Sequence, residues 1–173
     1  VPRPMKLLAF AATNSRDGIN KRLVSYATRL LEDGLVDDVT VETIDLNDYE
    51  MPIYSIDRQT EGGIPQAAHD FLAKIGAADA VLISFAEHNG HFTAAYKNLF
   101  DWTSRIDRWV YQDKPTVMLA TAPGPGAAAS TRRCWRTRCS TRHCSTTRAV
   151  SSISTSSPRC TSPCGTATPM PPS

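Results

Sequence analysis

Three short segments carry the residues able to do chemistry. The first is Thr13-Asn14-Ser15-Arg16-Asp17-Gly18-Ile19-Asn20, with two hydroxyls, the Asn20 amide and a small Gly18 just ahead of an amphipathic stretch. A loop of this kind opening a helix offers free backbone N–H groups and the positive end of the helix dipole, so Thr13, Ser15, Gly18 and Asn20 read as a cradle for a phosphate. The plainer reading, a helix cap, uses the same residue types. The second segment is Ser84-Phe85-Ala86-Glu87-His88-Asn89-Gly90, a polar, glycine-containing loop. The third is Thr121-Ala122-Pro123-Gly124-Pro125-Gly126. The pattern Gly-x-x-x-x-Gly-Lys-Ser/Thr is absent, which argues against a nucleotide triphosphatase.

Each segment follows an apolar, β-branched run, and those runs must position it. Lys6 to Ala12, Val39 to Ile44, Val81 to Ile83 and Thr116 to Thr121 read as strands, the first buried on both faces, the second alternating and β-branched, and the third a buried parallel strand. Helices alternate with them. The first carries Leu23, Tyr26, Ala27, Leu30 and Leu31 as its apolar positions and stops near Gly34. The second spans Ile64 to Ile75, with Ala67, Ala68, Phe71, Leu72 and Ile75 inward and His69 on the surface. The third turns Ala94, Ala95, Leu99, Phe100 and Trp102 inward. Between the second strand and second helix, 45–63 reads as one long connection, a length often tied to function. Strands alternating with helices predict an α/β fold with a doubly wound parallel sheet in three layers. Such sheets bind ligands beyond the carboxyl ends of their strands, where all three segments fall.

The composition divides the chain. Residues 1–126 hold all 17 acidic residues and 12 of the 19 basic ones, and no cysteine. That body reads as an ordinary cytoplasmic enzyme domain, with no membrane span and no nucleic-acid partner. Met5 to Ala12 has a superficial likeness to a signal peptide, but a first strand accounts for it better. Val1 to Pro4 read as preceding the natural start. Residues 127–173 are rich in Arg, Ser, Thr, Cys and Pro and hold no acidic residue. They have no apolar periodicity. Cys134, Cys139 and Cys144 with His143 invite a zinc reading, and the arginines a nucleic-acid arm. Neither comes with residues that would fold a closed site, and no metal ligand is assigned.

Residues 86–90 and Lys97-Asn98-Leu99-Phe100-Asp101-Trp102 resemble the central motif of the NAD(P)H-dependent FMN reductase family, a Pro-Glu-Tyr-Asn-Gly loop leading into a Lys-Asn-x-x-Asp-Trp helix. Here the proline is Ala86 and the tyrosine is His88. The family's Gly-Ser-x-Arg-x-x-Ser-x-Asn-Arg loop is matched by Thr13 and Asn20, with Ser15 and Gly18 departing from it. Its Leu-Pro-x-Tyr segment, near the nicotinamide site and dimer contact, is Met51-Pro52-Ile53-Tyr54 here.

The resemblance implies a flavodoxin-like domain over 5–126 whose last helix and strand are missing or altered. It implies FMN and NAD(P)H as cofactors, with the phosphate at Thr13, Ser15, Gly18 and Asn20. The isoalloxazine edge would lie at Phe85, Ala86, Glu87, His88, Asn89 and Gly90, and Thr121, Pro123 and Gly124 would flank the ring. It implies ping-pong hydride transfer to a small-molecule acceptor such as a quinone, flavin or azo compound, with no catalytic side chain assigned. His88 and His91 are candidates for tuning the flavin or acceptor pocket. A homodimer or homotetramer is implied, with Asp101, Trp102 and Trp109 as interface candidates and a core role for Trp102 equally open. Alternatives are a non-catalytic FMN-binding module and a flavodoxin-type electron carrier. For the tail, a change of reading frame is the better account. Joining each codon's third base to the next codon's first two lets 126–129 encode the family's Gly-Arg-Gly-Gly and lets 131–139 encode an amphipathic helix start with a forced leucine.

Overall fold

The computed structural model describes residues 3–121 of the chain. The expected loss or alteration of the last helix and strand, the tail, and Pro123 and Gly124 of the third segment lie outside those residues. Strands β1 (Met5–Ala12), β2 (Val39–Ile44), β3 (Ala80–Phe85) and β6 (Thr116–Ala120) form one parallel sheet in the order β2-β1-β3-β6. A separate antiparallel ribbon pairs β4 (Glu87–His88) with β5 (His91–Phe92). Helix α1 (Ile19–Leu30) follows β1, α2 (Ile56–Gly62) and α3 (Gln66–Ala77) follow β2, and α4 (Ala94–Ile106) follows the ribbon.

Alternation along the strands splits the core in two, giving the three layers expected. On one face Leu8, Phe10, Val81, Ile83 and Phe85 meet Phe71 and Ile75 of α3 and Tyr96 and Leu99 of α4. On the other, Leu7, Ala9, Ala11 and Leu82 meet Val24, Ala27 and Leu31 of the α1 side. From Leu7 onward β1 is buried at every position, as its unbroken apolar run requires.

Four local expectations are corrected. The fully buried positions of α1 are Asn20, Val24 and Thr28, and of the expected apolar positions Ala27 and Leu31 pack against the core while Tyr26 (62% exposed) and Leu30 (40% exposed) point outward. In α4, Tyr96 and Thr103 join Leu99 and Trp102 inside, and Ala94 is exposed. The connection 45–63 is not one loop. It holds a short 3₁₀ turn at Leu46–Tyr49 and the helix α2, capped by the Ser55 hydroxyl accepting from Arg58 N–H and ended at Gly63 with φ 74°. A serine cap with paired glycines seven residues on is a readable start–stop signal. Helix α3 begins at Gln66 rather than Ile64, because Pro65 sits in an extended conformation as its cap.

Asp79 fastens the start of the described chain to the sheet. Its carboxylate accepts from both terminal nitrogens of Arg3, at 2.7 and 2.6 Å, and from Lys6 N–H at 2.9 Å. The Arg3 hydrogen bonds, followed by that of Lys6 N–H, hold its carboxyl down at about 2. A carboxyl with a lower pKa folded than unfolded adds stability that is complete above about pH 4 and is lost as the pH falls toward its folded value. Asp79→Asn is therefore expected to lower the urea midpoint at neutral pH. The gap to the parent should close as the pH drops through that window. A gap that stays constant at all pH values would mean the clasp is not there.

Candidate functional site

The carboxyl ends of β1, β3 and β6 lie side by side, and one buried amide ties together the segments beyond them. Asn20, 4% exposed in the first turn of α1, accepts at Oδ1 from the Ser84 hydroxyl at 2.8 Å and from Thr121 N–H at 3.2 Å. Its Nδ2 donates to the Thr121 carbonyl at 3.2 Å. One side chain thus fixes the first loop, the end of β3 and the residue after β6 relative to each other. Thr93 makes a parallel tie. Its hydroxyl donates to the Ala12 carbonyl at 2.8 Å and accepts from Tyr96 N–H at 3.3 Å, so it caps α4 and anchors that helix to the end of β1.

The first loop is built as an open cradle. Thr13 is buried, and its hydroxyl accepts from Ser15 N–H at 3.1 Å, turning the chain sharply after β1. Gly18 caps α1 with no side-chain hydrogen bond, and the first turn of the helix holds no acidic residue. The N–H groups of Lys21 and Arg22 donate to the Gly18 carbonyl. Among the described residues, nothing accepts from the N–H groups of Ile19 and Asn20. A Cβ added at Gly18 would stand 3.4 Å from Ser15 Cβ and 3.6 Å from Thr13 Cγ2, filling the concavity between them. Unclaimed N–H donors at a helix start are what an anion needs.

The second segment is a hairpin, where the sequence suggested a loop. Ser84 and Phe85 belong to β3, and Glu87–His88 pairs with His91–Phe92 across the two-residue turn Asn89-Gly90. Both turn residues have positive φ, 55° and 73°, which Asn-Gly supplies at least cost. Phe85 is fully buried, packed 5.2 Å from the rings of Phe92 and Tyr96, and Ala86 is almost so. Glu87 is half-buried, while His88, Asn89, Gly90 and His91 are exposed at the tip. Of the third segment, Thr121 lies among the described residues, held by Asn20.

The Lys97-to-Trp102 motif holds the Met51–Tyr54 stretch. Asn98 Nδ2 donates to the carbonyls of Met51 (3.0 Å) and Pro52 (3.1 Å), and its Oδ1 accepts from Tyr54 N–H at 2.8 Å. Trp102 Nε1 donates to the Pro52 carbonyl at 2.7 Å. Trp102 is 1% exposed, so of its two expected roles the described structure supports the core one. Asp101 pairs with Lys97, and Trp109 is 58% exposed. Beside the cradle, Lys21 Nζ meets Asp45 at 2.5 Å. Burial works to raise the Asp45 carboxyl, but the Asn47 N–H and Lys21 outweigh it and hold it below the usual range.

Sequence reasoning missed Ser84, Thr93 and Asn98 as positioning groups. Thr93 had a signal, a threonine directly ahead of an amphipathic run. Ser84 had none, since a serine closing a buried strand reads as the start of a loop.

Comparison with known proteins agrees with this arrangement. The family model described as NADPH-dependent FMN reductase matches residues 5–157, continuing past the composition change. A probable NADPH:quinone oxidoreductase 2 of Oryza sativa subsp. japonica is 25% identical over 129 residues, covering 75% of this chain and 62% of the relative. An NAD(P)H-dependent FMN reductase of Pseudomonas aeruginosa is 28% identical over 120 residues, covering 69% of this chain and 61% of the relative. The chain thus spans about three fifths of the length of these curated relatives. In fold it is similar to FerB, a flavoenzyme NAD(P)H:(acceptor) oxidoreductase from Paracoccus denitrificans. The TM-score is 0.61 at 23% identity, over 77% of this chain and 70% of that one. It is also similar to an FMN-dependent NADH-azoreductase from Bacillus anthracis in complex with FMN, with a TM-score of 0.52 at 13% identity over 76% and 80% of the two chains. With an α/β sheet carrying its open loops at one edge and a family match over most of its length, the chain belongs to the NADPH-dependent FMN reductase family.

Proposed function

We propose that this chain is the flavin-mononucleotide-binding unit of an NAD(P)H-dependent oxidoreductase that reduces quinones, flavins, azo compounds or similar small acceptors. The observation that carries this reading is the junction at Asn20, which ties the first loop, the end of β3 and Thr121 together at one sheet edge beside a cradle of unclaimed N–H groups. The residues present fit the phosphate end of the group. The cradle has no acid in the helix's first turn and keeps open the space that a Cβ at Gly18 would take.

In this reading Thr13, Ser15, Gly18 and Asn20 form the wall of the phosphate site. The hairpin 87–92 offers Glu87 and His88 toward the ring edge, and Thr121, Pro123 and Gly124 line its flank. Flavin mononucleotide held there would supply the redox chemistry of hydride transfer between a nicotinamide donor and a small acceptor. The protein's part is to hold the three loops in register, to bury the strand ends beneath them, and to leave one face open for donor and acceptor in turn. That shared face predicts ping-pong kinetics. The rice quinone oxidoreductase and the Pseudomonas FMN reductase support the choice of donor and acceptor class. Trp109 and Asp101 stand as candidates for contact with a second copy.

Titrating the full chain with FMN, then following NAD(P)H oxidation with a benzoquinone, tests the reading. Flavin binding with steady turnover supports it. Flavin binding without turnover points to a non-catalytic module or an electron carrier, and no binding sinks it. A sharper version uses Gly18→Ala. Gly18 has φ −66°, which alanine adopts freely, and the nearest contact of the new Cβ is 3.4 Å. The variant should keep the parent's thermal midpoint yet bind FMN at least about tenfold more weakly, roughly the loss of one charge-assisted hydrogen bond. Unchanged affinity would place the phosphate elsewhere.

A further inference from the structure

The outer side of α1 carries a second feature, which meets the proposed flavin site at Gly18. A cavity of about 500 Å³ runs along it, lined beyond Gly18 by Arg16, Lys21, Arg22, Ser25, Tyr26 and Arg29, with Asp17 the one acid on its wall. Arg22, Ser25 or Tyr26, and Arg29 recur at three- to four-residue steps, so they share one side of the helix. Lys21 is paired with Asp45. Arg16, Arg22 and Arg29 are exposed and make no ion pair among the described residues. Arg29, in the last turn, suits the helix dipole. Lys21 and Arg22 do not, because cations in a first turn without any acid face the positive end of the dipole. With Lys21 neutralised by Asp45, Arg22 is the cation left at the helix start, and an anion from outside would relieve it. The Tyr26 ring, 62% exposed on the same wall, adds a flat apolar surface beside the charges.

We propose that this groove is a phosphomonoester site, and that its occupant is the phosphorylated adenosine end of the NADPH donor. The guanidiniums of Arg22 and Arg29 would grip the 2′-phosphate and Tyr26 would stack on the base. The groove begins at Arg16 and Asp17, inside the first loop, so it is continuous with the cradle where the flavin phosphate is placed. This inference rests on the reductase reading for its source of phosphate, though not for the existence of the site. Lys21, held by Asp45, lines the wall without being free to swing onto the ligand.

The test measures binding of 2′,5′-ADP and of 5′-AMP to the full chain by calorimetry, for the parent and for Arg22→Ala/Arg29→Ala. Both positions are exposed on a helix and alanine favours that conformation, so the fold is kept. The parent should bind 2′,5′-ADP at least about tenfold tighter than 5′-AMP, and the double variant should lose that preference, as expected for losing charge-assisted bonds to one phosphate. In the FMN-loaded protein the variant's KM for NADPH should rise about tenfold or more while that for NADH moves less than about twofold. Binding of 2′,5′-ADP lost in the variant with both KM values unchanged would keep the phosphate site but overturn the donor as its occupant. No preference for 2′,5′-ADP in the parent would overturn the site itself. A parent that binds 2′,5′-ADP yet neither holds FMN nor oxidises NADPH would fail the reductase reading and leave the groove standing.

Discussion

Asn20→Ala is expected to destabilise the domain by about 2–4 kcal/mol and to abolish high-affinity flavin binding together with it. The cost reflects the groups the side chain leaves behind. Ser84 is fully buried, and without Asn20 Oδ1 its hydroxyl loses the acceptor it holds at 2.8 Å. Thr121 loses partners for both its N–H and its carbonyl, where the residue after β6 is tied to the first loop. Two or three unsatisfied groups in partly or fully buried positions at about 1–3 kcal/mol each, less what water recovers at Thr121, give that range.

Asn20→Asp separates positioning from charge. It keeps an acceptor for Ser84 but sets an oxygen against the Thr121 carbonyl and a negative charge beside the cradle. Its flavin affinity should fall below that of the alanine variant even where its stability does not. Urea unfolding and a fluorescence titration with FMN read the two effects apart. A double-mutant cycle with Ser84→Ala should give a coupling of about 1 kcal/mol or more. An Asn20→Ala midpoint equal to the parent's would show that the junction does not exist in solution.

Asn20 also shows how much of the site was legible in the chain. Its place in a loop after a buried strand marked it as a phosphate-site residue, and the structure sets it in the first turn of α1, beside the end of β3. What a sequence does not give is where a polar side chain is spent. The partner that claims Asn20 lies 101 residues away, on a strand end that only the assembled sheet brings close. Helix α1 fails to read for a related reason. Its buried positions include Asn20 and Thr28, while Tyr26 and Leu30 face out, so a rule that sends large apolar residues inward finds Ala27 and Leu31 but misplaces the centre of the face. The strands were easier. Runs buried on both faces have no side to choose, and β1 and β3 fall where their β-branched and apolar residues put them; β6 falls on its own run although it is only half-buried, with Val117 exposed. The hairpin after β3 was written in Asn89-Gly90, but two-residue strands carry too few side chains to announce themselves beside so strong a loop composition.

The second large effect is expected at the far side of the sheet from α1, where Trp102→Ala should cost about 3–5 kcal/mol, the usual range for truncating a fully buried large aromatic. Trp102 is 1% exposed, meets the Tyr54 ring edge-on at 5.1 Å, and donates to the Pro52 carbonyl. Trp102→Phe keeps most of the packing and loses the N–H. Pro52 still accepts from Asn98, so this variant should lose only about 1 kcal/mol.

Asn98→Ala attacks the same segment differently. It removes no core volume but leaves Tyr54 N–H and the Met51 carbonyl without partners, for about 1–3 kcal/mol. Hydrogen exchange distinguishes a latch from plain packing. With Asn98→Ala the Tyr54 amide should exchange at least about tenfold faster while the β1 and β3 amides hold their protection, because one local bond is opened and the sheet is not. Trp102→Ala should speed exchange throughout. Tyr54 exchange unmoved by Asn98→Ala would remove the latch. A Trp102→Phe variant that altered the oligomer's mass but not its stability would return Trp102 to an interface. If both expectations hold, the Lys-Asn-x-x-Asp-Trp motif acts here through α4 on the Met51–Tyr54 segment. Its asparagine and tryptophan then fix the backbone beside the open face rather than any ligand directly.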